Sequence, residues 1–261
     1  MLAVEVGKAS HVGRIRRANE DALFVGSRLF VVADGMGGHA AGAIASRTAL
    51  EVLAGLDRAP VTCDALRSQV VEANRAVVAY GRTHPEGLGL GTTLAGIALI
   101  AEDEEEHWAV FHVGDSRVYE VRDSVVRQLT VDHSEVQELI SAGLLTLEEA
   151  REHPSRHIVT RAIGEWPTPA LDLLVVPAVV GQRWLITSDG LTSEVTDDLI
   201  SAALIGGNSA TETAVELVRA ALAAGGRDNI TVVVVDVLTS MATAEATQSS
   251  TLRRSQSEVS S

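Results

Sequence analysis

Cysteine is almost missing from this chain of 261 residues: Cys63 stands alone. Without a second thiol, an intrachain disulfide and a thiolate metal cluster are both excluded, and a reducing compartment is the expectation. Aromatic residues supply only 3% of the chain, so Val, Leu, Ile and Ala must fill the core. Cations are short too. Lys and Arg number 21 against 35 Asp and Glu, for a formal net charge of −14. That balance lacks the basic footprint with which a general nucleic-acid binder contacts phosphates. Self-repulsion that favours solubility accounts for most of the charge. Where several carboxylates converge, however, a divalent cation is the natural counter-ion. No apolar run approaches the roughly 20 residues needed to span a bilayer. The start, MLAVEVGKASHVG, has no basic stretch leading into a long apolar one, so neither a signal peptide nor a membrane segment is expected. A cytoplasmic protein is the expectation.

What is present is a globule's worth of apolar residues, 46% of the chain. Short Val- and Ile-rich runs at 29–33, 93–101, 107–113, 116–122, 183–188 and 229–238 predict strands, several of them buried on both faces. WAVFHVGDSRVYEVR reads as a hairpin turning at Gly114-Asp115. Helices are predicted at about 39–56, 62–82, 134–143, 146–153 and 211–224. Thr62 suits an N-cap, and Thr146 with Glu149 fits a capping box. Strand meanders separated by helical blocks point to α+β rather than strict βαβ alternation. After Leu238 the sequence turns to Ser, Thr and Ala with little that is bulky and apolar, so 240–261 is expected to be a disordered tail. Within it, LRRSQS (Leu252 to Ser257) looks like a target for a basic-directed kinase.

The stretch LFVVADGMGGHAAG, from Leu29 to Gly42, poses the chemical question. Gly35-Met36-Gly37-Gly38-His39-Ala40 formally matches the dinucleotide fingerprint G-x-G-x-x-G/A between a strand and a helix. Asp34 sits directly before the first glycine, where its charge would repel a pyrophosphate, and no second parallel strand ending in an acid follows. The strand-then-acid pattern recurs instead. Asp189 closes RWLITSDG, Asp228 lies in GGRDN before a strand, Asp115 sits in HVGDSR, and Glu20-Asp21 precede a short apolar run. Any one of these is an ordinary turn residue. Together, with glycine beside several of them, they suggest a sheet rim that gathers carboxylates and lets backbone approach an ion. Oxygen ligands without Cys or His pairs favour Mg²⁺ or Mn²⁺ over Zn²⁺.

In order, the chain reads RRANEDA, VVADGMGGHAAG, GTTL, HVGDSRVY, LTVDHS, HIVTRAIG, ITSDG and GGRDNITVVVV. This series resembles the bacterial branch of the PPM, or type 2C, metal-dependent Ser/Thr protein phosphatases, over about residues 5–238. The resemblance implies a four-layer α/β/β/α sandwich, two central antiparallel sheets flanked by helices, with a small flap subdomain at about 130–164 inside a catalytic domain of residues 1–239. It implies hydrolysis of phosphoserine and phosphothreonine by a metal-activated water at a binuclear Mn²⁺ or Mg²⁺ centre, opposing bacterial Ser/Thr kinases. A regulatory pseudophosphatase that binds phosphoproteins without turnover is the alternative.

Carried over position by position, the resemblance makes Asp34 the bridge between two ions, with Asp189 and Asp228 completing the first. The Gly35 carbonyl would touch the second, and Glu20 and Asp21 would hold its waters. Asp115, with Asp189, matches a third and weaker position. Asn229 would orient the Asp228 region, and Arg16, which alone satisfies R-x-x-N-E-D, would grip the phosphate with its planar guanidinium. Met36 departs from the animal relatives, which place a histidine there as a proposed general acid. Methionine has no proton to give. His39 is a weaker candidate for that role, better explained by packing or by its helix position, and His11, His112 and His133 are read as structural. The expected partners are phosphorylated proteins, Ser/Thr kinases among them, rather than nucleic acid or membrane. The expected state is a monomer.

Overall fold

The computed structural model describes residues 2–37, 41–58, 61–84, 89–102 and 105–238. His39 and the 240–261 tail, with its LRRSQS, lie outside the described residues. In chain order the first strands are β1 (Ala3–His11), β2 (Ala22–Val25), β3 (Leu29–Ala33) and the two-residue β4 (Gly35–Met36). Helices α1 (Ala41–Leu53) and α2 (Cys63–Thr83) follow, then β5 (Gly91–Thr92), β6 (Leu94–Glu102), β7 (Glu105–Val113), β8 (Arg117–Arg122) and β9 (Val125–Gln128). The second half contains α3 (Glu135–Ser141), α4 (Leu147–Glu152), β10 (Asp172–Pro177), β11 (Arg183–Thr187), α5 (Asp189–Thr192), α6 (Asp197–Ile205), α7 (Ala210–Ala224) and β12 (Ile230–Leu238).

Two antiparallel five-stranded sheets form the centre. One runs β1-β12-β11-β8-β9, the other β10-β7-β6-β3-β2. The period of two in the strand sequences decides how they stack. Along β3, Leu29, Val31 and Ala33 face α1 and α2, while Phe30 and Val32 face the opposite sheet. Along β12, Ile230, Val232 and Val234 pack with α6 and α7, while Val233, Val235 and Val237 enter the inter-sheet core. Strands with both faces covered must read as continuous Val and Ile, as these do. The result is helix, sheet, sheet, helix: the four-layer α+β sandwich expected from the resemblance.

Three aromatics, Phe30, Trp108 and Trp184, meet in the inter-sheet layer. Trp108 on β7 and Trp184 on β11 are fully buried and meet edge to face at 5.9 Å, with Phe30 beside Trp108 at 6.2 Å. The helix caps follow the sequence. Thr62 accepts the Ala65 amide at the start of α2, and Thr146 with Glu149 closes a reciprocal capping box on α4.

The expected hairpin at Gly114-Asp115 does not form. β7 pairs with β6 and β10, whereas β8 pairs with β11 and β9 in the other sheet. The turn is therefore a crossover between the two sheets. Local sequence cannot tell the two apart, because both need two strand runs and a glycine turn. The sandwich wins since most of each run is buried on both faces, and that cover exists only inside a sheet.

Candidate metal centre

The carboxylates picked out in the sequence come from loops that leave both sheets at one end. Asp34 follows β3, and Glu20 and Asp21 lead into β2, all on one sheet. Asp189 follows β11 and Asp228 precedes β12 on the other, and Asp115 lies on the crossover between them. Glu20, Asp34, Gly35, Asp115, Asp189, Asp228, Asn229 and Arg16 all line a single cleft of about 920 Å³.

Each loop is pinned by its own backbone and hydroxyl partners. Thr93 Oγ1 accepts the Asp34 amide at 3.0 Å, while the Thr93 amide and Thr92 Oγ1 both donate to the Asp34 carbonyl at 2.9 Å. This is the structural content of GTTL. Thr93 Oγ1 also meets Ser116 Oγ at 2.7 Å, tying the Asp34 loop to the crossover that presents Asp115. The crossover needs Gly114, whose φ of +105° suits glycine and whose missing Cβ makes room for Thr93. Gly35 is required by close approach instead. A Cβ there would strike the backbone carbonyls of Gly42 on α1 and of Glu20.

Ser188 links the sheets on the other side. Its hydroxyl donates to Asp21 Oδ2 at 2.8 Å and accepts the Thr231 amide at 3.0 Å. Asn229 does more than serve Asp228. Its amide N–H donates to Asp228 Oδ1 at 2.7 Å, but its side chain donates to the Val12 and Ala18 carbonyls at 2.9 Å and accepts the Glu20 amide at 2.8 Å. It thereby holds the whole loop that displays Arg16. Arg16 reaches Asp228 Oδ2 at 2.7 Å, with half of its side chain still open to solvent. The loop before Asp228 is clamped by Arg227, which donates through its amide, Nε and a terminal guanidinium nitrogen to the buried Glu194 carboxylate at 2.8 to 2.9 Å.

Thr93, Ser116, Ser188, Arg227 and Thr231 lie inside the motifs GTTL, HVGDSRVY, ITSDG and GGRDNITVVVV, but none of them had a role legible in the sequence, and Glu194 lies outside every motif. A hydroxyl or an ion pair gains its meaning only from a partner far along the chain.

The electrostatics of the cluster are unfavourable without a cation. Burial, followed by repulsion from Asp21 and Asp189, holds the Asp34 carboxyl well above its ordinary range, and burial with Asp189 does the same to Asp115. Burial also raises Asp189, with Asp228 adding to it, and pushes Asp21 up to about 7. Among the described residues Asp21 Oδ1 is buried with no hydrogen-bond partner. An all-oxygen set of mutually repelling, desolvated carboxylates fits Mg²⁺ or Mn²⁺, which would neutralise the charge that burial penalises. Met36 lines the same cleft and offers no proton.

A second cluster, His112, His133 and Asp172, brings possible ligand atoms within 4.8 Å of one another. It is a poor metal site. The imidazoles stack at 4.5 Å with planes only 19° apart, so their in-plane lone pairs cannot meet at one ion about 2.1 Å from each. His133 Nδ1 already accepts the Gly114 amide, and His112 Nε2 bonds the Val131 carbonyl. Arg161, bonded to Asp172 at 2.9 Å and 3.1 Å from His133 Nε2, already supplies the cation. Burial lowers both histidine pKa values, which suits neutral packing residues.

A family profile described as protein phosphatase 2C matches residues 14–198. The chain belongs to the protein phosphatase 2C family. It is 39% identical over 241 residues to the serine/threonine protein phosphatase PstP of Mycobacterium tuberculosis, covering 91% of this chain and 46% of that protein. The chain thus spans about half the length of this relative. It is 36% identical over 236 residues to the serine/threonine phosphatase stp of Listeria monocytogenes, covering 86% of this chain and 92% of the relative. The catalytic domain of PstP, solved in complex with two manganese ions, superposes with a TM-score of 0.82 at 37% identity, over 92% of this chain and all of that domain. Family membership settles the fold and sets aside the dinucleotide reading of the glycine loop.

Proposed function

We propose that this chain is a metal-dependent protein phosphatase that hydrolyses phosphoserine and phosphothreonine in proteins. The observation that carries the reading is the cleft in which Arg16, half exposed, stands over a buried group of carboxylates drawn from both sheets. A pseudophosphatase is not favoured, because every acid and the arginine of the family pattern are in place.

Asp34, Asp189 and Asp228 would hold one divalent ion. Asp34, the Gly35 carbonyl and, through waters, Glu20 and Asp21 would hold the second, and Asp115 with Asp189 a third. Ions bound there would lower the pKa of a water towards neutrality and stabilise charge on the attacked phosphorus. The chain's own residues do the positioning. Arg16 can present two guanidinium donors to phosphate oxygens, and its pairing with Asp228 fixes where they point. Asn229 sets the height of that loop, and the Glu194–Arg227 clamp sets the next one. Met36 stands where animal relatives carry a histidine and has no proton to give, so the leaving alkoxide takes its proton from water or from another residue.

In the cell we place the enzyme in the cytoplasm, where its substrates are phosphoproteins and it opposes Ser/Thr kinases. No helix among the described residues is long and apolar enough to cross a membrane. Residues 1–239 form the catalytic domain in this reading. The test is turnover of a phosphothreonine peptide with Mn²⁺. EDTA, Asp34→Ala and Asp189→Ala should each abolish it, and a rate that survives either substitution would remove the basis for this site.

A further inference from the structure

Beside the metal cleft lies a second groove of about 300 Å³ that opens onto the same Asp115 and Asp189. One wall is apolar: Val136 and Ile140 of α3 and Leu147 of α4, the last 71% exposed. Arg151 at the end of α4 and Arg156 in the following turn line both the groove and the metal cleft. Both are exposed, and neither makes an ion pair with a carboxylate among the described residues. The other cations nearby are engaged. Arg117 grips Asp132 through Nε and Nη2, Arg227 is bound to Glu194, and Arg16 to Asp228.

Arg156 donates to the His153 carbonyl at 3.4 Å, so both guanidinium groups stand without a carboxylate partner among the described residues, in a chain with a net charge of −14. Because both line the two depressions, they are where a peptide would pass if its phosphoresidue sat beside Arg16. Successive side chains of an extended peptide advance by roughly 3.3 Å, so the residues next to the phosphoresidue enter the second groove.

We propose that Arg151 and Arg156 form a second anion subsite, and that the preferred substrates carry another anionic side chain within a few residues of the phosphoserine or phosphothreonine. The subsite refines the phosphatase reading above and rests on it. A carboxylate and a second phosphate share the chemistry that two guanidinium groups recognise, and a phosphate, with more charge and three acceptor oxygens, is held more tightly. The apolar wall receives the side chain that points away from the arginines.

The test is a set of phosphothreonine peptides in which one position, up to three residues away on either side, is Ala, Lys, Asp or the non-hydrolysable phosphonate analogue of phosphoserine. With the Mn²⁺-loaded protein, kcat/KM for the best anionic peptides should exceed the Ala peptide by roughly five- to tenfold, mostly through KM, as expected for two solvent-screened charge contacts. The advantage should shrink in high salt. Phosphonate above Asp identifies a second phosphate as the ligand, and equality identifies any anion. The double charge swap Arg151→Glu with Arg156→Glu should invert the order in favour of Lys-flanked peptides. Peptides all within twofold of one another on the native protein would overturn the subsite, as would an anionic preference that survives the charge swap. Fluorescence anisotropy with peptides whose phosphothreonine is itself a phosphonate reads the same preference without turnover. Absence of turnover therefore counts against the phosphatase reading alone, and equal binding counts against the subsite alone.

Discussion

The side-chain carbonyl of Asn229 accepts the backbone N–H of Glu20 at 2.8 Å, joining positions 209 residues apart. Through the same side chain, Asn229 donates to the Val12 and Ala18 carbonyls. The loop that carries Arg16 is thus fastened to the strand start that carries Asp228. Asn229→Ala should weaken Mn²⁺ activation and reduce kcat/KM by about 10- to 100-fold, the usual scale for groups that orient metal ligands. Asn229→Asp should fail similarly, since it sets an acceptor against two carbonyl oxygens. Mn²⁺ titration of activity beside a melting curve checks both. An unchanged activation constant would deny the residue its positioning role.

Arg16 is the second lever. Arg16→Lys keeps the charge but loses the planar fork, so KM for phosphopeptides should rise by about tenfold with a smaller change in kcat. Arg16→Ala should cost more and also take the guanidinium partner at 2.7 Å from Asp228 Oδ2. Steady-state kinetics on one phosphothreonine peptide reads the split. A fall confined to kcat would place the arginine elsewhere in the reaction.

If the proposed site is right, acid and metal compete for the same carboxylates. Asp21 is pushed up to about 7 from an ordinary 3.8, and Asp34, Asp115 and Asp189 shift in the same direction. The folded cluster therefore binds more protons than the unfolded chain. That stabilisation is complete below the unfolded pKa and is lost as pH rises through the folded one. In EDTA the melting temperature should fall as pH rises from about 4 to beyond about 7. Mn²⁺ should restore several degrees, most of all near pH 8. Calorimetry in EDTA and in Mn²⁺ across this range is the measurement. A metal-free protein that gains stability with pH would contradict the account.

In the inter-sheet core, Trp184 is fully buried, and its indole N–H has no partner among the described residues. Trp184→Ala should destabilise by about 3–5 kcal/mol, from lost transfer energy and the cavity left behind. Trp184→Phe should cost much less, because removing an unsatisfied buried donor offsets part of the lost area. Denaturant melts of the two variants give the comparison.

Much of this was legible in the sequence, and the limits are physical. Val- and Ile-rich runs identified the doubly covered strands β3, β6 and β12, and Thr62 and Thr146 announced their helices. β1 and β10 escaped because each mixes charged and half-buried positions and gains its cover only from strands far along the chain. β7 and β8 were found, but their allegiance was not, since pairing is decided by the whole sandwich. At the site, each carboxylate was visible as an acid at a strand end. That Asn229 would serve the Arg16 loop, or that Ser188 would reach Asp21, could not be read locally, because those contacts close over long stretches of chain.

The crossover at Gly114-Asp115 has a mechanical consequence. Asp34 belongs to one sheet, Asp189 and Asp228 to the other, and Asp115 to the strap between them. The spacing of the carboxylates is therefore a gauge of how the two sheets sit against each other, and the tryptophan layer between them is the shim that sets it. Thinning that layer, as in Trp184→Ala, should detune ion affinity from deep inside the molecule without touching a single ligand.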